Sequence, residues 1–267
     1  MPQKRNFVVG SALGLLMATA MAEGTGDAAA DATTVRLLAS GAFSDASRDL
    51  VASYRETLGL RVEGTFGSSL KAAPTSVPRR LEQGEAADVV LAATDTINDL
   101  IAKGLVLADS RVDILQSALG AVVPAGAPVP PIQTVAEVAT ALLQASSVAY
   151  SASLSGTYYE TEMLKKLGIE AQVLPKSKRT APGERVATVV ARGDASLGIQ
   201  QVSELLTAPG VTFVGKLPDS IQRYTVFSAG IPTLARNPAG ARRLIEFLSS
   251  APSAHDAFRK NGLEPVH

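Results

Sequence analysis

Short apolar runs recur along the chain from about residue 35, and segments with helical spacing alternate with them. "TVRLLAS" predicts a first strand, and "SDASRDLVASYRETLG" predicts the helix after it, because Leu50, Tyr54 and Leu58 share one helical face. Ser44 is the predicted N-cap of that helix and Gly59 the predicted C-cap. Alternation of this kind is typical of parallel sheets covered by helices.

The same alternation continues to the C-terminus. Further strands are predicted at "LRVEGTF", "ADVVLAA", "LGAVVPA", "SVAYSAS", "ASLGIQQ" and "YTVFSAG", and further helices at "TINDLIAKG", "TYYETEMLKKLG" and "RVATVVARG". Two helices close the chain: "PAGARRLIEFLSS", which Asn237 caps and Pro238 opens, and "SAHDAFRKNG". The Pro-rich stretch from 124 to 134 is predicted to be a loop.

The N-terminus carries a different pattern. Two basic residues precede an apolar run from Phe7 to about Ala20, and small residues up to Ala22 precede Glu23. This order is typical of a secretory signal peptide that is cleaved near Ala22 and Glu23. A membrane anchor would need about 20 apolar residues, and this run is shorter. We therefore expect a mature protein that is soluble and periplasmic, without membrane insertion.

Composition narrows the function classes. The chain has 267 residues and is 46% hydrophobic, enough for a large core. It carries 25 Lys and Arg against 25 Asp and Glu, so no overall field attracts nucleic acid. Cysteine is absent and there are two histidines, which disfavours disulfides, a thiol nucleophile and a metal site. We expect a monomer that uses no metal and no cofactor.

Four phrases, in this order, resemble one family. They are "DASRDLVASYRETLGLRVEGTFGSS", "RRLEQGEAADVVLAATDTINDLIAKG", "GTYYETEMLKKLGI" and "APGERVATVVARGDASLGIQQVSELL". The chain is similar in them to periplasmic substrate-binding proteins, and most closely to the molybdate-binding branch. The resemblance covers essentially all of residues 35–264.

The resemblance implies a fold of two α/β lobes, type II-like, with the ligand held in the cleft between them. Its implied divisions are a signal peptide at 1–22, a flexible lead-in at 23–34, a first lobe at 35–117 and 226–267, and a second lobe at 118–225. The implied crossings between the lobes lie near 115–122 and 222–228.

In such lobes, ligands lie beyond the carboxyl ends of strands, where helices begin. The resemblance places four turns at the cleft, at 40–44, 67–71, 153–157 and 183–186, together with Gln200. The residues predicted to bind the ligand are Ser40, Ser68, Ser69, Lys71, Ser155, Arg185, Val186 and Gln201. The alternative for each serine is an N-cap that serves only its own helix.

The chain departs from the molybdate binders at two hydroxyl donors. Their first-turn serine falls on Ala42 here, and their tyrosine falls on Gln201. A bound oxyanion without these donors would lose about 1 to 3 kcal/mol for each missing bond. Ser40, Ser44 and Gln201 are candidate substitutes.

The chain gains cations near the same turns. They are Lys71, Arg79, Arg80, Lys176, Lys178, Arg179 and Arg185. Guanidinium and ammonium groups match the carboxylates of a larger molecule. A solvated basic surface is the alternative, most of all for Arg79, Arg80, Lys176 and Lys178.

These departures favour a small polycarboxylate as the ligand. Within this branch the chain resembles the aconitate isomerases, which implies a cofactor-free allylic proton shift between trans- and cis-aconitate. Lys71 and Arg185 are then candidates to stabilise charge, with Ser69, Ser155 and Gln201 orienting the substrate. Glu184 or Glu160 is the candidate proton carrier, and Glu184 and Lys71 are the predicted catalytic residues.

Two alternatives stay open. One is a receptor that delivers molybdate, tungstate or another small anion to an ABC transporter. The other is a sensor or scavenger that binds a carboxylate without turnover. The sequence does not separate the second from an isomerase, because the two differ only in a base positioned at the ligand.

Overall fold

The computed structural model describes Met1, residues 33–71 and residues 73–266. Apart from Met1, the predicted signal peptide and nearly all of the predicted lead-in lie outside the described residues. Among those residues, no helix is both long and apolar enough to cross a membrane.

The described strands form two sheets. The first has six strands in the order β11-β4-β10-β3-β1-β2, and the second has five in the order β7-β6-β8-β5-β9. In the first sheet the strands are β1 (Thr34–Ser40), β2 (Arg61–Gly67), β3 (Val89–Ala93), β4 (Val112–Ser117), β10 (Thr225–Gly230) and β11 (Glu264–Pro265). In the second they are β5 (Leu119–Pro124), β6 (Val148–Tyr150), β7 (Ser177–Arg179), β8 (Leu197–Gln201) and β9 (Val211–Lys216).

Parallel pairing is confined to one side of each sheet. In the first sheet β1 pairs parallel with β2 and β3, and in the second β6 pairs parallel with β7 and β8. The pairs β3–β10, β4–β10, β4–β11, β5–β8 and β5–β9 are antiparallel. We call each sheet with its packed helices a lobe, the first and the second.

Helices cover both faces of the sheets. The described α-helices are α1 (Ser44–Asp49), α2 (Val51–Leu58), α3 (Val77–Glu82), α4 (Thr94–Ala102), α5 (Val135–Gln144), α6 (Leu154–Tyr158), α7 (Leu164–Lys166), α8 (Glu170–Val173), α9 (Val186–Ala191), α10 (Val202–Leu205), α11 (Pro238–Ser250) and α12 (Pro252–Lys260). A π-helical turn, Tyr159–Met163, joins α6 to α7.

The core of the first lobe follows from alternation along β1. Val35 and Leu37 belong to a buried cluster that includes Leu244 of α11, whereas Leu38 belongs to a separate cluster with Leu100 of α4. Successive side chains of a strand point to opposite faces, so this one apolar strand supplies both layers. This agrees with the α/β alternation expected from the sequence, whereas the parallel sheets that the alternation predicted are mixed, with antiparallel pairs in both.

Several local expectations are confirmed, and two are wrong. Gly59 ends α2 in the left-handed conformation, with φ 59°, and the Asn237 side chain accepts from the Gly240 N–H at the start of α11. Ser44 is not an N-cap: it is the first residue of α1, which follows a 3-10 turn, and its side chain caps nothing. The predicted single helix is also interrupted at Leu50.

The chain passes between the lobes at two places. The first is Ala118, between β4 and β5, and the second is the segment 217–224, between β9 and β10. Gln222 ties the two together, because its side chain accepts from the Leu119 N–H at 2.6 Å and donates to the Leu119 and Leu217 carbonyls. That the lobes divide at 118 and 226 as separate domains stays a prediction.

Candidate functional site: a cleft between the lobes

A cleft of about 270 Å³ lies between the lobes, at the carboxyl ends of β1, β2, β6 and β8. Ligands of α/β lobes bind at this position because the loops that leave the strands meet there. The cleft is lined by Ser40, Gly41, Ser44, Phe66, Gly67, Ser68, Ser69, Thr75, Ser151, Ala152, Ser153, Leu154, Gly183, Glu184, Arg185, Gln200, Gln201, Glu204, Thr225 and Phe227. Hydroxyl and amide groups dominate its polar lining.

The first lobe contributes the predicted serines. Ser40 ends β1, and Ser68 and Ser69 follow β2. The Ser68 Oγ accepts from the Leu70 N–H, and the Ser69 Oγ accepts from the Ala93 N–H, both at 3.1 Å. These bonds fix the hydroxyl oxygens and leave each O–H proton available as a donor. Ala42, where the molybdate binders carry a serine, is buried and does not line the cleft.

Lys71 does not line this cleft, so its predicted position at the ligand is corrected. Its Nζ lies 3.0 Å from a carboxylate oxygen of Glu82 in α3, and the side chain is 58% exposed. The loop after β2 folds back tightly, because a β-carbon on Gly67 would lie 2.2 Å from the Thr75 carbonyl oxygen. Lys71, which lies in this loop, forms an ion pair with Glu82 at the protein surface.

The second lobe contributes a triangle of hydroxyls. Ser151, Ser153 and Ser155 have Oγ atoms 2.7 Å, 2.9 Å and 3.1 Å from one another. Ser151 and Ser153 line the cleft, whereas Ser155, which is buried like Ser151, does not. The Ser155 hydroxyl contacts the other two hydroxyls, and its predicted role at the ligand stays a prediction.

Arg185 and Val186 lie at the start of α9. The Arg185 guanidinium lines the cleft, donates to the Ser44 hydroxyl at 2.7 Å, and lies 3.4 Å from Asp45. The Val186 N–H, predicted to face the ligand, instead donates to the Gln200 side-chain oxygen at 2.8 Å. This predicted backbone donor is therefore already used inside the protein.

Asp45 of the first lobe contacts both Arg185 and Thr207 of the second lobe. Burial works to raise the pKa of Asp45, but the charge of Arg185 and hydrogen bonds from Thr207 and Arg185 outweigh it and hold that pKa below its ordinary value. Asp45 is therefore ionised at neutral pH. Thr207 donates to it at 3.0 Å from the second lobe.

The cleft holds two carboxyl groups in opposite environments. Glu184 accepts from Arg192 at 2.7 Å and from the Ala181 N–H at 3.2 Å, and these two hydrogen bonds lower its pKa. Glu204 is half-buried, and burial raises its pKa against the opposing effects of Arg185 and Gln200. Glu160 does not line the cleft and lies 4.0 Å from Arg179.

Arg80, Lys176 and Lys178 have structural or surface partners. Arg80 pairs with Glu85, and the Lys178 ammonium donates to the Asp194 carbonyl at 2.8 Å. Lys176 donates to the Leu143 and Ala145 carbonyls at the end of α5, where a cation also suits the helix dipole. Neither these residues nor Arg79 line the cleft.

Sequence reasoning missed Glu204, Ser151, Thr225 and Phe227 as lining residues, whereas Ser153 lies in a turn that was predicted to reach the cleft. Glu204 sits three residues after Gln201 in the quoted phrase "GIQQVSELL", so its position in sequence was a usable signal. Over residues 33–71 and 73–266, no group of three or more His, Asp or Glu side chains is placed to hold a metal ion.

The fold matches solved binding proteins. The structure of the periplasmic molybdate-binding protein of Azotobacter vinelandii matches with a TM-score of 0.70 at 19% identity, covering 87% of this chain and 99% of that one. The chain thus has the two-lobed mixed α/β fold of periplasmic binding proteins of the molybdate-binding type.

The sequence comparisons identify the family. Residues 35–264 match the bacterial extracellular solute-binding proteins, and the chain belongs to that family. It is 37% identical over 239 residues to an aconitate isomerase of a Pseudomonas species, covering 90% of each chain. It is 24% identical over 264 residues to the molybdate-binding protein ModA of Escherichia coli K12, covering 96% of each.

Proposed function

We propose that this protein binds a small tricarboxylate in the interlobe cleft and interconverts trans- and cis-aconitate. Its similarity to the Pseudomonas aconitate isomerase, 37% identity over 90% of both chains, supports this choice within the family. The reaction is an allylic shift of one proton, so it needs a carrier for that proton and groups that stabilise a delocalised negative charge.

The Arg185 guanidinium in the cleft is the observation that carries the proposal. A guanidinium presents a rigid fork of N–H donors that fits a carboxylate, and it keeps its charge at any working pH. Two nitrogens of the Arg185 guanidinium donate to Ser44 and Asp45. The residue also lines the cavity. A substrate carboxylate can accept from the rest of the fork.

The neutral donors fit the other carboxylates. Ser68, Ser69, Ser151 and Ser153 present hydroxyls to the cavity, and Gln201 adds an amide. The cavity volume of about 270 Å³ leaves room for a ligand larger than a compact tetrahedral oxyanion. Donors on both lobes favour a ligand that spans the cleft.

A molybdate receptor for an ABC transporter is the second candidate. Its support is the similarity to ModA and a lining rich in neutral hydroxyls. Ala42, buried away from the cavity, and Gln201 stand where the family pattern has hydroxyl donors, which weakens this candidate.

Calorimetry with absorbance spectroscopy tests these functions. Purified protein is titrated with trans-aconitate and separately with molybdate, and the ultraviolet spectrum of the aconitate sample is followed with time. We expect heat and a time-dependent spectral change with aconitate. Sub-micromolar molybdate affinity without aconitate turnover would support the receptor. Aconitate binding without spectral change would support a sensor or scavenger.

We also propose that the protein is exported to the periplasm, as expected for an extracellular solute-binding family. The supporting feature is the signal-peptide pattern before Glu23. N-terminal sequencing of the exported protein should find a start at or near Glu23, and gel filtration should find a monomer. Retention of Met1 on exported protein would contradict the cleavage.

A further inference from the structure

Glu204 lies where the second lobe meets the first-lobe turn after β1. It belongs to α10, directly after β8, and it lines the cleft beside Gln200 and Gln201. A β-carbon on Gly41 would lie 3.7 Å from the Glu204 Oε1, so the carboxyl group reaches across to the opposite lobe. Its oxygens therefore belong to the space between the lobes.

The backbone around Glu204 is anchored at the crossing between the lobes. The Val202 N–H donates to the Ala118 carbonyl at 2.8 Å, and the Ser203 hydroxyl lies 3.3 Å from that of Ser117 in β4. Ala118 is the residue at which the chain first passes between lobes. The carboxyl group is thus held on a rigid element and not on a loose loop.

The neighbours of Glu204 suit a group that both takes and returns a proton. The Gln200 side-chain oxygen accepts a hydrogen bond from the Val186 N–H. The same side chain also forms a hydrogen bond with Glu204. The charged groups nearby are Arg185 and Asp45, which act on Glu204 in opposite directions. Burial raises the pKa of Glu204 above its ordinary value, and a proton carrier is most effective when its pKa lies near the working pH.

Glu184 occupies the same cleft but is unsuited to this role. Its hydrogen bonds from Arg192 and the Ala181 N–H stabilise the ionised form and make it a weaker base. Two carboxyls whose environments separate their pKa values are a common sign of divided roles. Of the two, Glu204 is the better base once ionised.

We propose that Glu204 is the proton carrier of the isomerisation, an inference that rests on the proposed function. The Glu204 carboxylate removes one proton from the substrate methylene carbon, and the electron pair of that C–H bond spreads over the three-carbon allyl unit. The same carboxyl group then delivers a proton to the former vinylic carbon. One C–H bond breaks, one forms, and the double bond moves by one position without any oxidant or reductant.

The test compares Glu204→Gln, Glu204→Asp and wild type. Trans-aconitate turnover is measured by absorbance, binding by calorimetry, and exchange of the methylene protons by NMR in heavy water. We expect Glu204→Gln to lose about 10²- to 10⁴-fold in kcat, with exchange lost in parallel. It should bind trans-aconitate at least as tightly as wild type, because a carboxyl group has been removed from an anion site. Glu204→Asp should retain part of the exchange.

Two further variants, Glu246→Gln and Glu184→Gln, help to separate failure of the proposed function from failure of the role of Glu204. Glu246→Gln, at an exposed position of α11, should match wild type. If wild type does not isomerise aconitate, the proposed function fails. If wild type is active and Glu204→Gln is equally active, only the role of Glu204 fails, and loss of turnover in Glu184→Gln would then move the role to Glu184. Weaker binding and a lower melting temperature in both Glu204 variants would overturn the inference in favour of a structural role.

Discussion

Arg185 of the second lobe donates a hydrogen bond to Ser44 of the first lobe, with 2.7 Å between Nη2 and Oγ. The same guanidinium lies 3.4 Å from Asp45, which also accepts from Thr207 of the second lobe at 3.0 Å. The three contacts join the lobes beside the cleft. Arg185 therefore has two tasks, to hold the lobes together and to present charge to a ligand.

Arg185→Ala should weaken binding of trans-aconitate by roughly 10- to 150-fold, because a charge-assisted contact of about 1.5 to 3 kcal/mol is removed. Arg185→Lys should recover only part of the affinity, since an ammonium keeps the charge but lacks the planar fork. Calorimetry measures both variants.

Arg179→Ala is the matched control for the Arg185 variants. Its guanidinium is 48% exposed and lies 4.0 Å from Glu160, an ion pair worth less than about 1 kcal/mol. If Arg179→Ala lost affinity while Arg185→Ala kept it, the ligand site would lie outside this cleft.

Lys71→Ala should leave ligand affinity and turnover unchanged. Its ammonium pairs with Glu82, which also accepts from Lys103 at 2.7 Å, so Glu82 keeps a partner in the variant. Calorimetry with trans-aconitate checks this expectation. A clear loss of affinity would mean that the loop after β2 rearranges and brings Lys71 to the ligand.

Gly156→Ala should lower the melting temperature sharply. A β-carbon at this position would lie 1.6 Å from the Ser151 carbonyl oxygen, so α6 would have to move off the serine turn. Overpacking of this kind costs typically about 1 to 3 kcal/mol. Gly41→Ala is the control, because its nearest contact would be an ordinary 3.7 Å. Equal melting temperatures of the two variants would contradict this close packing.

Glu204→Gln should be more stable than wild type at neutral pH. Burial raises the pKa of Glu204 in the folded state above the ordinary 4.5 of the unfolded chain. The folded state then binds more protons, so wild-type stability falls as the pH rises from about 4.5 through the folded pKa. The Gln variant lacks this penalty.

Thermal melts of both proteins at about pH 5 and about pH 8 measure the effect, and the stability gap should widen at the higher pH. Asp45, whose pKa is lowered, titrates below this window and does not disturb the comparison. A gap that narrows with rising pH would show that Glu204 is stabilised as the carboxylate.

The local sequence was enough to predict most helices and strands. Alternating apolar residues in β1, the cap at Asn237 and the left-handed Gly59 act over a few residues, so they are readable without a structure. The strands β4, β7, β9 and β11 were not predicted. β7 and β9 are edge strands with exposed or half-buried residues, which weakens the alternation that marks a strand.

The cleft itself was predicted through resemblance, and Ser40, Ser68, Ser69, Arg185 and Gln201 do line it. The positions of Lys71, Ser155 and Val186 required the structure. A local pattern shows that a group is present, but not which neighbour it will meet. Lys71 forms an ion pair with Glu82, and the Val186 N–H donates a hydrogen bond to the Gln200 side chain.

The contacts that define the site join distant parts of the chain. Arg185 and Ser44 are separated by 141 positions, and Asp45 and Thr207 by 162. Short-range periodicity carries no information about such pairs, because the two partners belong to different lobes and meet only in the tertiary structure. The raised pKa of Glu204 has the same origin: the desolvation that causes it exists only where α10 packs against the turn after β1.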